Sequence, residues 1–172
     1  AESYAALESN VTAFTVKIDR QVPVIRVSFE GTFGRWTGEG VTFNFSTEEA
    51  SLSGINYYYD NGNGWTLIDS GTSIEITDTT NAVYRFKAVN NAGTESYPSD
   101  SYHVMIDAKV PEITLTPEVT DVTPNPYKIN ISTEVGESGL REVTCNGQDI
   151  TNEDSYTVSQ NGTYVFLSLI HI

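Results

Sequence analysis

Residues 41–68 read VTFNFSTEEASLSGINYYYDNGNGWTLI and carry the clearest fold signal of the chain. Apolar and polar side chains alternate over 41–46, and aromatic side chains fill most of 55–59. Alternation with a period of two is typical of a strand that buries one face. The Asn and Gly residues of 60–64 supply the positive φ angles of a hairpin loop. This stretch therefore predicts strands at 41–46, 55–59 and 65–68.

Four further strands are predicted around it, at 22–29, 73–77, 83–90 and 102–106. Turn residues separate them at short, regular intervals, and this spacing is typical of a β-sandwich. No long stretch shows the 3.6-residue apolar period of a helix, residues 2–8 being the one open case. We predict an all-β fold.

The sequence repeats itself. V-K-I-D-R-Q-V-P-V-I at 16–25 matches V-M-I-D-A-K-V-P-E-I at 104–113, and S-G-I at 53–55 answers S-G-L at 138–140. Such self-similarity predicts tandem modules: the tail of a preceding module at 1–19, a complete module at 20–107, and a second module at 108–166 that lacks its last strand. The strands predicted for this second module are 110–115, 127–133, 140–144, 149–150, 155–158 and 163–166.

The last six residues, LSLIHI at 167–172, follow the predicted strand 163–166 without a turn. The string is the translation of CTG-TCT-CTT-ATA-CAC-ATC, the end of a common transposon-based sequencing adapter. We expect 167–172 to be an adapter artefact, and exclude it from functional reasoning as one would a cloning scar. The alternative is a native continuation of the strand.

Charge and composition exclude several classes of function. The 172 residues contain 9 basic and 23 acidic side chains, a formal net charge of −14. This negative field repels phosphate backbones and anionic lipid, so we expect no nucleic acid partner. No apolar run approaches the roughly 20 residues of a membrane span, so we expect no membrane insertion in this fragment. A single Cys allows no internal disulfide.

Three segments resemble a known family. They are RWTGEGVTFNFS at 35–46, SGINYYYDNGNGW at 53–65 and YRFKAVNNAGTES at 84–96. Together they resemble the bacterial immunoglobulin-like (Ig-like) repeats of secreted and cell-surface proteins. The chain departs from that pattern at Asn90, where Asp is usual, and at Thr94, where Asn is usual. The resemblance implies tandem Ig-like β-sandwich modules of about seven strands that form extracellular spacers, stalks or adhesive arrays.

The expected function is therefore that of non-catalytic structural or adhesive spacer modules in a larger bacterial extracellular or cell-wall-anchored protein. Their partners would be neighbouring modules of the same chain. Two alternatives stay open: a module that binds a glycan or a host surface protein, and an accessory domain of a secreted polysaccharide-degrading enzyme. We assign no catalytic, cofactor-binding or metal-binding residue, because His103 lies in no catalytic motif.

Two sets of residues are candidates for a site. Tyr58 and Trp65 flank the hairpin and are the candidate glycan contacts, since aromatic rings stack on the apolar faces of sugars; packing in the fold is the competing interpretation. Asp19 and Asp107 lie at the I-D-x-x-V-P junctions, where a calcium ion could stiffen an array. The chain has no Asp-rich loop there, and exposed linker carboxylates are the competing interpretation.

Overall fold

The computed structural model describes residues 13–48, 50–119, 121–122, 124 and 126–172. Most of the predicted tail module, and residues 2–8 with it, lies outside them. Within these ranges regular structure consists of strands alone, which confirms the all-β prediction. They are β1 (Ile25–Glu30), β2 (Trp36–Thr37), β3 (Val41–Thr47), β4 (Ile55–Asp60), β5 (Thr66–Leu67), β6 (Ser73–Ile76), β7 (Thr80–Asn90), β8 (Tyr102–Ile106), β9 (Glu112–Pro117), β10 (Tyr127–Glu134), β11 (Leu140–Cys145), β12 (Gln148–Asp149), β13 (Ser155–Val158) and β14 (Phe166–Ile170).

The first unit, β1–β8, consists of two sheets. One has the strand order β1-β3-β6, and the other β2-β8-β7-β4-β5. All pairings are antiparallel except that of β2 with β8, which is parallel. The short strand β2, which the sequence analysis did not predict, thus adds an edge to the larger sheet.

The core of the first unit lies between these two sheets. Val41, Phe43 and Phe45 of β3 are at most 5% exposed, whereas the alternate residues of that strand are more open. The Phe86 ring, from β7 in the facing sheet, lies 4.8 Å from the rings of both Phe43 and Phe45. The sheets therefore pack face to face as a β-sandwich, as the alternation in 41–46 predicts.

The second unit, β9–β14, repeats these pairings. Its sheets have the orders β9-β10-β13 and β12-β11-β14, which correspond to β1-β3-β6 and β5-β4-β7. The registers correspond as well, since equivalent residues face each other in the two units. The pairs of the first unit are Ile25 with Thr47, Val41 with Ile76, and Tyr59 with Phe86. The equivalent pairs of the second unit are, in the same order, Ile113 with Thr133, Tyr127 with Val158, and Cys145 with Phe166. Among the described residues of this unit, no strand corresponds to β8.

The predicted strand 163–166 is wrong except for its last residue. The structure begins β14 at Phe166 and continues it to Ile170, through part of the LSLIHI string. Residues 163–165 instead lie against the turn at Asn146, whose side chain accepts a hydrogen bond from the Val165 N–H. In the first unit the corresponding Val83 and Tyr84 of β7 pair with β8, and no described strand takes that place here. The adapter origin of 167–172 stays a prediction.

Candidate functional site

The junction between the two units contains a buried carboxylate. Asp107, directly after β8, is 2% exposed. One carboxylate oxygen accepts hydrogen bonds from the Ser138 N–H at 2.8 Å and the Ser138 hydroxyl at 2.6 Å; the other accepts one from the Lys109 N–H at 3.1 Å. The Asp107 N–H donates in turn to the Thr37 carbonyl. Asp107 therefore joins the end of the first unit to the loop that precedes β11 of the second.

The same arrangement occurs at the start of the first unit. The Asp19 carboxylate accepts hydrogen bonds from the Ser53 hydroxyl at 2.7 Å, the Ser53 N–H at 3.1 Å and the Gln21 N–H at 3.1 Å. Ser53 corresponds to Ser138 in the repeat, and Gln21 to Lys109. We call each Asp with its donors an Asp–Ser joint. Two separate parts of the chain thus form the same joint.

One donor differs between the two joints. Ser51 adds a hydroxyl hydrogen bond to Asp19, and the residue at the corresponding position of the second joint is Gly136. The Gly136 backbone lies so close to Asp107 that a Cβ atom there would overlap both carboxylate oxygens and lie 2.5 Å from Cγ. The second joint therefore replaces a hydroxyl donor by a closer approach of the loop.

The hydrogen bonds hold both carboxylates in their ionised form. Those from Ser51 and Ser53 outweigh the effect of burial and lower the pKa of Asp19 to about 2. Burial acts to raise the pKa of Asp107, but the hydrogen bonds from Ser138 and Lys109 outweigh it and hold that pKa below its ordinary value. Donors to a charged acceptor favour its ionised form.

The interpretation of these residues as exposed linker carboxylates is wrong for Asp107, and Asp19 is half-buried. The sequence analysis matched the S-G motifs with each other but did not connect them to the Asp residues. The sequence did contain a signal for this connection, since the I-D-x-x-V-P motif and the S-G motif both occur in both units. The N–H and O–H donors around Asp107 occupy the oxygen lone pairs that a cation would use.

The structure brings Tyr58 and Trp65 together on the outer face of the larger sheet. Tyr58 on β4 lies opposite Lys87 on β7. The Lys87 ammonium lies 5.7 Å from the centroid of the Tyr58 ring and 4.8 Å from that of Trp65, and pairs with Glu95 at 2.8 Å. Trp65 is 37% exposed, whereas Lys87 is 9% exposed. We call these four residues the Tyr–Trp cluster.

The tyrosine side chains of β4 alternate between the two faces of the larger sheet. Tyr57 points inward and its ring stacks on Phe45 at 5.5 Å, and Tyr59 packs toward Tyr84. Tyr58 lies on the opposite face with Lys87. In the Tyr–Trp cluster the Lys87 ammonium contacts both aromatic rings. Part of the ring surface is therefore covered by Lys87, and part of Trp65 is exposed to solvent.

Asn90, one of the two departures from the family pattern, has a structural role. It is 2% exposed; its side-chain oxygen accepts hydrogen bonds from the Ala92 and Thr94 N–H groups, and its amide donates to the Gln21 carbonyl at 3.1 Å. An Asp could accept the first two bonds but could not donate the third. The amide therefore ties the first joint to the end of β7.

Three other observations concern possible activity. The ring of His103 is hydrogen-bonded to Asn81 at 2.7 Å. Within the described ranges there is no group of three or more His, Cys, Asp or Glu residues that could hold a metal ion. The part of the chain that the structure describes also contains no helix long and apolar enough to cross a membrane.

No family model, no curated protein and no solved structure matches this chain. The case for a function therefore rests on the residues and contacts described above.

Proposed function

We propose that the chain is a tandem array of Ig-like β-sandwich modules that acts as a non-catalytic spacer in a larger bacterial extracellular or cell-wall-anchored protein. The observation that carries this proposal is the recurrence of the Asp–Ser joint. The same residue types, with equivalent donors, connect each unit to the element before it. Equivalent connections at successive units are what a repeated spacer requires.

The strand order supports the Ig-like assignment. With β1, β3, β4, β6, β7 and β8 as strands A, B, C, E, F and G, one sheet is A-B-E and the other contains G-F-C. Immunoglobulin-type sandwiches have A, B and E in one sheet and C, F and G in the other. The second unit has the same order without G.

The chemistry of the joint suits a mechanical role. The two donors of Ser138 that hold the Asp107 carboxylate across the junction would fix the angle between units more tightly than an apolar contact of the same size, because hydrogen bonds weaken steeply when they are bent or stretched. Pro23 and Pro111 follow the joints and restrict the φ angle of the connecting segment. The joint would thus transmit orientation from one module to the next.

The spacer proposal is tested by the spread of distances between the units. Spin labels on Cys residues introduced at Glu75 and Glu153 would report this spread by pulsed electron spin resonance. Asp107→Asn keeps the size of the side chain and removes its charge, so we expect a broader distribution than in the unsubstituted chain. Asp69→Asn, an equal charge change at an exposed turn, is the control. An unchanged distribution in Asp107→Asn would count against a joint that sets orientation.

A second candidate function, glycan contact, is favoured by the Tyr–Trp cluster, since Tyr58 and Trp65 share one outer face and Trp65 is partly open. The test is retardation in affinity gels made with plant and host polysaccharides. Tyr58→Ala with Trp65→Ala should abolish retardation, while Val83→Ala, an exposed apolar residue on β7, should retain it. Equal mobility of all forms would reject glycan binding by this cluster.

A further inference from the structure

The hairpin loop between β4 and β5 contains two Asn-Gly pairs in succession, Asn61-Gly62 and Asn63-Gly64. In such a pair the backbone nitrogen of the Gly can attack the side chain of the Asn, because Gly has no Cβ to hinder the approach. Asn61 is half-buried and the other three residues are exposed, so water has access to the loop. By its sequence, the loop therefore has two places where the chain can modify itself.

The reaction is a deamidation. The Gly nitrogen forms a bond to Cγ of the Asn, the Cγ–Nδ2 bond breaks, and the side-chain amide leaves as ammonia with the proton that the Gly nitrogen loses. Water then opens the cyclic succinimide at one of its two carbonyl carbons. The product is Asp or isoaspartate, in which the backbone runs through the former side chain. One water is consumed and one ammonia is released.

A single carboxylate oxygen holds both attacking nitrogens. Oδ1 of Asp60 accepts hydrogen bonds from the Gly62 N–H at 2.9 Å and the Gly64 N–H at 3.1 Å. Oδ2 accepts one from the Arg85 guanidinium at 2.9 Å, and Asp60 is 8% exposed. The φ angles of the two Gly residues are 99° and 95°, a conformation that Gly adopts without strain. The carboxylate is thus fixed on one side and binds the loop on the other.

We propose that Asp60 is a protecting residue, whose carboxylate suppresses deamidation of both Asn residues of the loop by holding the N–H groups of the Gly residues that follow them. Attack requires the Gly nitrogen to lose its proton and to turn toward Cγ of the Asn. A hydrogen bond to an ionised carboxylate opposes both, because it is strong and directional. The inference is independent of the spacer proposal, since it concerns one loop inside the first unit.

A carboxylate beside an N–H has an opposite role available, that of a base which removes the proton. The environment of Asp60 argues against this role. The hydrogen bond from the Gly62 N–H, with those from Gly64 and Arg85, holds the pKa of Asp60 below its ordinary value. A carboxylate with a lower pKa is a weaker base. The two roles predict opposite effects when the carboxylate is removed.

Deamidation in this loop would affect the Tyr–Trp cluster. An isoaspartate lengthens the backbone of the loop by one methylene group, and the length of the loop fixes the register of a hairpin. Tyr58 on β4 faces Leu67 on β5, and Trp65 directly precedes β5. Asp60 therefore preserves the register that places Trp65 beside Lys87.

The proposal is tested by the rate of deamidation at neutral pH and constant temperature. Trypsin releases the loop within one peptide that begins at residue 36, and mass spectrometry identifies each converted Asn. A synthetic peptide of residues 57–67 gives the rate without the fold. We expect both Asn residues to react at least about tenfold more slowly in the folded chain than in this peptide, and Asp60→Ala to raise the rate by at least about tenfold, which is about 1.4 kcal/mol in the barrier.

Arg85→Gln is the matched control. It removes the guanidinium from Asp60 but leaves the acceptor of both N–H groups in place, and the Arg85 side chain is 47% exposed. We expect its rate to stay close to that of the unsubstituted chain. Asp60→Asn keeps a neutral acceptor and should give an intermediate rate. Asn146, which also precedes a Gly, is the internal reference, because both polar atoms of its side chain are hydrogen-bonded elsewhere.

Three results would overturn the inference. They are a folded chain that reacts at this loop as fast as the peptide, a folded Asp60→Ala chain whose rate is unchanged or lower, and an equal rise in Arg85→Gln. The first comparison needs no variant, so it decides the matter even where circular dichroism shows that Asp60→Ala fails to fold. A lower rate in Asp60→Ala would identify the carboxylate as a base, and an equal rise in Arg85→Gln would indicate general loosening of the loop.

Discussion

Gly136→Ala tests the Asp107 joint most directly. The φ angle of Gly136 lies outside the left-handed region, so an Ala there carries no backbone strain. Where space allows, Gly→Ala at such a position stabilises a protein by about 0.4–1 kcal/mol, because the unfolded chain loses conformational freedom. At Gly136, however, the added Cβ would lie 2.5 Å from Cγ of Asp107.

The structure has two ways to relieve this overlap, and both are costly. The Asp107 carboxylate can turn away from Ser138, which breaks charge-assisted hydrogen bonds of about 1.5–3 kcal/mol each. Alternatively the loop can shift, and overpacking of this kind costs about 1–3 kcal/mol. We therefore expect Gly136→Ala to destabilise the second unit by about 2–3 kcal/mol.

Urea unfolding measures this loss. Far-UV circular dichroism follows both units, whereas tryptophan fluorescence follows the first alone, since both Trp residues of the chain lie there. With a urea dependence of about 1.5 kcal/mol per M, the midpoint of the second unit should fall by about 1–2 M. Gly162→Ala is the control, because its Cβ would make an ordinary contact of 3.6 Å with Tyr164.

A double substitution decides whether the overlap with Asp107 is the cause. In an Asp107→Ala background the obstructing carboxylate is gone, so Gly136→Ala should cost little or even stabilise. An equal loss in both backgrounds would refute the reasoning, as would a Gly136→Ala chain more stable than the unsubstituted one.

Three further predictions concern the joints and the Tyr–Trp cluster. The folded-state pKa of Asp19, about 2, and that of Asp107 both lie below the ordinary value of 3.8. The stabilisation these carboxylates provide is therefore present above that ordinary value and is lost as the pH falls through their folded-state pKa values, which for Asp19 is near pH 2. Urea midpoints from about pH 7 to 2 should show this loss, and Asp107→Asn should reduce it. Lys87→Met should change the fluorescence emission of Trp65, because the Lys87 ammonium lies 4.8 Å from the centroid of that ring. The same substitution should lower the free energy of unfolding by about 1 kcal/mol. Unchanged emission would contradict the contact. Asn90→Asp should lower the stability of the first unit by about 1–3 kcal/mol, since a carboxylate cannot donate to the backbone carbonyl that the amide binds; an equal urea midpoint would argue against this role.

The strands could largely be predicted from the sequence because their pattern is local. In β3 the alternation of Val41, Phe43 and Phe45 with polar residues specifies both a strand and its inward face. The short strand β2 lacks such a pattern, since a two-residue strand shows no period. Residues 163–165 have a strand-like composition, but a strand also needs a neighbour, and among the described residues of the second unit no strand takes the place of β8.

The joints could not be predicted from a local pattern, because each one connects residues that are far apart in the sequence. Asp19 and Ser53 are 34 residues apart, and Asp107 and Ser138 are 31 apart. The sequence shows that all four residues recur, but it does not show that a carboxylate at the end of one unit meets a hydroxyl and an N–H in the next. That meeting depends on how the loop before β11 folds, and Gly139, with its φ of 79°, turns the chain there. The signal that the sequence does provide for the joints is the repetition of both motifs.

The charge of the chain explains why a buried carboxylate suits this position. With a net charge of −14, neighbouring units repel each other, and an apolar contact that tolerates sliding would yield to that repulsion. A buried carboxylate resists displacement. Moving it away from its donors would leave a buried charge without hydrogen bonds, which is costly in free energy. The nearby ion pair of Lys109 with Glu134 is exposed on both sides and contributes little by itself. Under the spacer proposal the resistance to bending resides mainly in Asp107 and its donors. We therefore expect high salt, which screens the exposed pair, to leave the distance distribution between the units unchanged, while Asp107→Asn broadens it at any ionic strength.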